Sequence, residues 1–294
     1  MKATSAPKNE IRHAYLFISP FFLLFLVFQL YPLIWSFALS FYKWNGLTQK
    51  VFVGLDNFRQ LISDSQFWTT MYNTLWYTVA NVLFTLPIAV LLGALLCSSR
   101  LQKTRAYKTI LVLPYVTSTV AAGIIFSMLF SSHYGVVNNI LNAFGIPSVG
   151  WLTTMEASKY PVALLSIWRG TPWYMLIIMS AILGVDKHLY EAALIDGANA
   201  VQQLFSITLP CIMPVLKFSL INLTIDSVRI FTEPYVLTTG GPGASSMSVI
   251  QYLYINAFQT FKLGYASAVG YMLTFFLIVV SIFYFKSLRQ QSGV

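Results

Sequence analysis

Six long apolar runs divide this chain, and they leave it few ways to fold. They cover Tyr15–Phe41, Met71–Cys97, Thr109–Phe130, Pro161–Leu183, Cys211–Leu237 and Leu263–Phe285. Each reaches the roughly 20 residues that a helix needs to cross a hydrocarbon core of about 30 Å. In hydrocarbon every backbone N–H and C=O must find a partner within the protein, and a helix supplies its own. At 294 residues the length alone would suit one large or two small soluble domains. A content of 57% hydrophobic, 16% aromatic and only 9% charged residues excludes that. The expected fold is an all-α membrane protein with six transmembrane helices.

The formal net charge of +9 would suggest nucleic acid in a soluble chain. Here the basic residues flank apolar runs, so the positive-inside rule accounts for them and no nucleic-acid partner is expected. Lys2, Lys8, Arg12, Arg100, Lys103, Arg105, Lys108, Lys187, Lys286 and Arg289 fall on one side, ten in all, against Lys43, Lys50, Arg59, Lys159 and Lys262, five, on the other. Both termini are therefore expected in the cytoplasm, with residues 1–13 and 287–294 as short polar ends of a 14–286 transmembrane domain. The first run is too long for a cleavable signal and lacks a small-residue cleavage site. Cys97 and Cys211 have no local partner, so neither a disulfide nor a metal site is expected. Residues 42–70 and 131–160 read as external segments.

The polar segment between spans four and five, 186–209, lies on the basic side. Ala192, Ala193, Leu194 and Ile195 favour helix. Asp186 suits the helix start and Gly197 the positive φ that ends a helical turn. Val201, Leu204, Phe205 and Thr208 then recur at helical spacing, which predicts a second helix with one face on apolar groups. Pro210 suits the first turn of the span that follows.

Glu191, Ala192, Ala193, Asp196, Gly197, Ala198, Ile207, Leu209 and Pro210 together resemble the coupling loop of the membrane-spanning permease subunits of bacterial ATP-binding-cassette importers. Gly54-Leu55-Asp56-Asn57-Phe58 and Thr239-Gly240-Gly241-Pro242 are similar to segments of the carbohydrate-uptake branch. Asp186 and His188 depart from the pattern, standing where proline and glutamate are common. The resemblance implies a cytoplasmic helix–turn–helix between spans four and five, seated on an ATP-hydrolysing subunit. It further implies a second homologous permease subunit in a heterodimer, two ATP-binding subunits, an external solute-binding protein and a bacterial cytoplasmic (inner) membrane location.

A charged side chain at the bilayer centre costs roughly 2.5–3.5 kcal/mol even on lenient scales, so intramembrane charges must face protein or water. Arg169 lies about 15 Å into span four at 1.5 Å per residue. Gly170 and Pro172 are expected to interrupt its helix, and Trp173, four residues on, shares its face. On span five, Asp226, Arg229 and Glu233 have i,i+3 and i,i+4 spacing and are expected to share one face. By the resemblance the transport cavity lies between the spans flanking the coupling loop. That points to Arg169, Gly170, Trp173, Leu223, Asp226, Ser227 and Ile230 as a substrate pathway. Arg229, Glu233, Gly240, Gly241 and Pro242 would form an external gate and charge network. The plain alternative is a salt-bridge network that pins spans four and five together.

No catalytic constellation is present. His13, His133 and His188 are scattered, and no glycine-rich phosphate loop ends in Lys-Ser/Thr, so no cofactor is expected and ATP hydrolysis belongs to a partner. A sugar suits an aromatic face with hydrogen-bonding neighbours. An anionic solute, such as a glycerol phosphodiester or a uronic-acid oligosaccharide, would instead use Arg169 and Arg229. A membrane-embedded enzyme using Asp226 and Glu233 needs two carboxylates to converge from about 10 Å apart along a helix. An ion-coupled transporter would show an inverted repeat, and none is seen.

Overall fold

A computed structural model describes residues 8–97 and 105–291; the expected cytoplasmic Lys2, Arg100 and Lys103 lie outside the described residues. The chain forms two compact units, Met1–Ser63 with Leu253–Leu273, and Asp64–Tyr252 with Thr274–Val294.

The first unit begins with α1 (Lys8–Phe25), which passes through a π-turn at Leu26–Leu30 into α2 (Tyr31–Leu39). Pro32 follows that turn. A proline clashes with the carbonyl four residues back, and a local widening to i→i+5 bonding relieves this without ending the helix. A two-stranded hairpin follows, β1 (Tyr42–Lys43) paired antiparallel with β2 (Val51–Phe52), Tyr42 opposite Phe52. Asn45 Oδ1 accepts the N–H groups of Leu47 (3.1 Å) and Thr48 (2.9 Å) to close the turn. The Lys50 ammonium lies over the rings of Trp35 and Trp44, 3.8 and 4.7 Å from their centroids. Next comes α3 (Asp56–Ser63), whose buried Asn57 donates to the carbonyls of Ser40 and Tyr42.

The second unit is built on α4 (Ser65–Cys97), which starts six residues before the span expected from Met71. Its buried stripe reads Thr70, Thr74, Tyr77, Asn81, Thr85, Ala89, Gly93, Leu96, a repeat of three or four residues that makes one helical face. The residues are small or hydroxylated, so a neighbour can approach closely. That neighbour is α8. A Cβ added to Gly93 would lie 3.4 Å from the Ile178 side chain and the Met179 backbone.

The third expected span is not one straight helix. It is α5 (Arg105–Val116) and α6 (Thr119–Leu129), bent by 93° at Thr117–Ser118. Ser118 leaves helical geometry (φ −54°, ψ 130°) to begin α6, and Pro114 weakens the preceding turn. Then α7 (Val136–Ala143) leads to α8 (Lys159–Leu183). Contrary to expectation, α8 runs unbroken through Gly170 and Pro172. The Thr171 hydroxyl bonds back to the Ile167 carbonyl at 2.7 Å; the carbonyl that Pro172 leaves without a helical N–H is the next one, of Trp168, and the helix continues past it.

Beyond α8 lie α9 (Lys187–Ile195) and α10 (Ala200–Gln203), then a π-turn (Leu204–Thr208) and α11 (Leu209–Val228). Pro210 thus follows a π-turn, as Pro32 does, rather than opening a free helix end. The fifth expected span also breaks. Arg229 caps α11, Phe231 is non-helical (φ −139°, ψ −54°), and α12 covers Thr232–Thr238. Asp226, Arg229 and Glu233 therefore do not share one helical face. The last elements are α13 (Val249–Tyr254) and α14 (Leu263–Gln291).

Among the described residues, five helices are long and apolar enough to cross a membrane, and the bent α5–α6 pair makes a sixth if counted as one span.

Candidate translocation cavity and coupling hairpin

A cavity of about 340 Å³ opens at the break after α11, and α5 reaches it through Tyr115, two residues before its own bend. From α8 it takes Arg169, Gly170, Trp173 and Tyr174; from α11 and the break after it, Leu223, Asp226, Ser227, Arg229, Ile230 and Phe231. Glu233 of α12, Tyr115 of α5 and Asn81 of α4 complete the wall. Every residue named from the sequence as substrate pathway lines this single space. Of the gate residues, Arg229 and Glu233 line it, while Gly240, Gly241 and Pro242 lie in the loop beyond α12.

The charges are arranged differently from the expected helical ladder. Arg169 Nη1 meets Glu233 Oε1 at 3.5 Å, and its Nη2 donates to the Thr117 carbonyl at 3.3 Å. That carbonyl is outside the α6 ladder because the chain bends there. Asp226 Oδ2 accepts the Tyr174 hydroxyl at 3.0 Å, and no described ion pair involves Arg229. With Arg169 and Arg229 against Asp226 and Glu233, the lining is formally neutral.

Tyr115 and Trp173 stack with centroids 5.3 Å apart and planes at 19°, each ring a little over two-fifths exposed. Around this platform three buried polar atoms have no protein partner, Asn81 Nδ2, Ser227 Oγ and Arg169 Nε. Buried polar groups are nearly always paired, so three without a protein partner on residues of one cavity are unusual. The sequence signalled Asn81 only as an amide interrupting a span. It gave no signal for Tyr115, because a straight third span would not turn its end into the cavity.

At the other end of α11 the 186–209 segment forms a helical hairpin. Asp186 caps α9, its side chain accepting the His188 N–H at 3.0 Å. Gly197 adopts φ +79° and closes α9 with two bonds, Ala198 N–H to Ala193 O at 2.8 Å and Gly197 N–H to Leu194 O at 3.1 Å. This is the six-to-one and five-to-two pairing of a Schellman end. Asn199 and Gln202 form a reciprocal capping box that opens α10. The Tyr190 hydroxyl, 2.9 Å from Thr208 Oγ1, ties the two arms together. Glu191, Ala192 and Asp196 are exposed, as are the large apolar side chains of Leu194, Ile195, Val201 and Phe205. Of the face expected on apolar groups, Thr208 is buried and Leu204 half-buried, but Val201 and Phe205 face outward.

The loop after α12 is held rather than free. Asn73 Nδ2 donates to the carbonyls of Ala244 (2.9 Å) and Met247 (3.1 Å), and the Tyr77 hydroxyl donates to Ser246 O at 2.8 Å.

This is the organisation of a multi-pass transport permease: broken spans around a polar cavity, with a capped hairpin at the far end. Residues 68–289 match the binding-protein-dependent transport system inner membrane component family, and the chain belongs to it, as a carbohydrate-type permease subunit of the ATP-binding-cassette importers. It is 34% identical over 284 residues to the lactose transport system permease protein LacF of Rhizobium radiobacter, covering 95% of each chain. It is 36% identical to the arabinooligosaccharides transport system permease protein AraP of Bacillus subtilis, over 92% of this chain and 87% of that one. Among solved structures it resembles a chain of a bacterial alginate transporter in complex with an alginate-bound periplasmic protein, with a TM-score of 0.84, 25% identity and 97% of each chain covered.

Proposed function

We propose that this chain forms half of the translocation pathway for a neutral oligosaccharide in an ATP-driven importer of the bacterial inner membrane. The observation that carries the reading is the cavity: a stacked Tyr115–Trp173 platform, unpaired polar atoms beside it, and balanced charge. A sugar ring offers apolar C–H faces to the platform and hydroxyls to Asn81, Ser227 and Arg169. The paired relatives' names, lactose and arabinooligosaccharides, support a sugar. The α9–α10 hairpin is the coupling element, docking through Leu194, Ile195, Val201 and Phe205 on a cytoplasmic ATP-hydrolysing subunit. A second permease subunit, a second ATPase and an external solute-binding protein complete the assembly. ATP binding draws the hairpins together and reshapes the cavity; hydrolysis resets it.

The likeness to a transporter of the acidic polysaccharide alginate supports a second reading, an anionic sugar. Against it, Glu233 already occupies Arg169, and Asp226 would repel a carboxylate. The test is ATPase activity of the reconstituted complex with its binding protein, presented with neutral and then uronic oligosaccharides. Stimulation by neutral sugars is the expected result; stimulation by uronic sugars alone, lost in Arg169→Gln, would replace it with the second reading. In the same assay Trp173→Ala is expected to raise the half-maximal sugar concentration about tenfold, equivalent to about 1.4 kcal/mol. An unchanged value would remove the platform from the binding site.

A further inference from the structure

We infer that Arg169 is a two-ended latch that joins the two broken spans across α8 and is released when the cavity takes up its ligand. The inference rests on the transport reading above and adds a state-dependent role for the Arg169–Glu233 pair.

Three features carry it. The first is connectivity. One guanidinium on the unbroken α8 holds the carbonyl exposed by the α5–α6 bend and the carboxylate in the first turn of α12. The two partners lie on different pieces of chain, each just beyond a break, so the contact spans both joints at which this unit can flex.

The second is geometry. Charge-assisted N–H···O contacts that serve as fixed pins are about 2.7–2.9 Å long, and Arg–carboxylate pins are commonly bidentate. Here the contacts are 3.3 and 3.5 Å, one to each partner, and Nε has none. The group is satisfied enough to stay, and loosely enough to exchange partners. A vicinal diol of a sugar presents two oxygens at a spacing that a guanidinium edge can bond, and the buried Nε is a donor left unused by the two present partners.

The third is what α12 does otherwise. It packs closely on α6, where a Cβ on Gly123 would lie 2.7 Å from Val236 Cγ1. Its Leu237 shares an apolar cluster with Leu165 of α8. Apolar surfaces allow small sliding, whereas a charge pair with two ends is either made or broken. The latch therefore supplies the discrete step, and the α6–α12 pair is the body it holds against α8.

The test uses the assembled complex in proteoliposomes and reads the ratio of ligand-free to ligand-stimulated ATPase activity beside uptake. Glu233→Gln removes the charge at one end of the latch while keeping the size of this side chain in the cavity wall, so the ligand-free rate is expected to rise at least fivefold. Arg169→Gln removes latch and ligand contact together, so the ligand-free rate rises and uptake falls. A fixed structural pin behaves otherwise: Glu233→Gln would lower complex yield and uptake and leave the ratio at the parent value, overturning the latch. Should Glu233→Gln not assemble, Arg169→Lys carries the test. It keeps the charge but loses the fork that reaches both partners, and a raised ratio supports the latch while a parental ratio with normal uptake overturns it. If loaded binding protein does not stimulate the parent complex at all, the transport reading fails first and the latch with it.

Discussion

Gly197→Pro is expected to lower sugar-stimulated ATP hydrolysis and uptake by more than tenfold while the protein still inserts in the membrane. Gly197 sits at φ +79°, and proline is confined near −65°. The substitution also deletes the N–H that bonds Leu194 O, and disfavours the helical geometry of Asp196 before it (φ −74°, ψ 0°). The Schellman end is lost, and with it the angle between α9 and α10 that presents Leu194, Ile195, Val201 and Phe205 as one surface. Nothing lies within 4 Å of a Cβ at this position, and the residue is exposed, so no core contact is disturbed. Gly197→Ala is the control. It meets only the left-handed strain of about 1–2 kcal/mol and should keep a large part of the activity. Normal transport by the proline variant would remove the hairpin from coupling. The readouts are ATPase rate, uptake and the amount of ATPase subunit co-purified.

Gly241→Val should abolish uptake from the opposite end of the second unit. Gly241 has φ 72° and ψ 175°, a region that only glycine populates readily, at a cost of about 1–3 kcal/mol for other residues. Its Cβ would crowd the hydroxyls of Ser246, Ser245 (2.9 Å) and Ser158 (3.1 Å). Overpacking of this kind adds about 1–3 kcal/mol. Those serines belong to the network that seats the loop: Ser158 Oγ lies 2.8 Å from Ser245 Oγ, and Ser246 Oγ lies 2.7 Å from Thr238 Oγ1 at the end of α12. Displacing the loop therefore displaces α12 and Glu233 in the cavity wall. Because the hairpin is untouched, ATPase-subunit capture should persist while uptake falls below a tenth of the parent value. Loss of capture together with uptake would point to global misfolding instead of a local effect on α12.

Much of this could be read from residues alone. The apolar runs set the number of membrane crossings within one bent pair. Asp186 and Gly197 wrote two of the hairpin's caps into the sequence, because capping depends on local chain chemistry, while the Asn199–Gln202 capping box was not read from it. That the intramembrane charges and Trp173 share one cavity was legible for a different reason: charges and a tryptophan inside apolar helices have few stable places except a shared polar space. The breaks were less legible. Gly170 and Pro172 looked like the interruption, yet α8 continues through both. The real breaks lie at Thr117–Ser118 and Arg229–Phe231, where no glycine or proline stands at the break itself and Pro114 and Pro234 each lie three residues away. Tertiary packing decides there, through contacts between residues far apart in sequence. For the same reason Glu233 found Arg169, 64 positions away, and not Arg229 four positions away.

The continuity of the helix between hairpin and cavity has a mechanical meaning. Ala200–Val228 is one helical segment of 29 residues, about 43 Å long at 1.5 Å per residue. Its first residues carry the exposed Val201 and Phe205, and its last ones end at Arg229. A tilt of only about 5° imposed at one end of such a rod shifts the other by roughly 4 Å, more than the length of a hydrogen bond. If the proposed coupling holds, no relay of side-chain rearrangements is needed between hairpin and cavity: the segment would work as a lever, with the π-turn at Leu204–Thr208 near its hairpin end setting its stiffness.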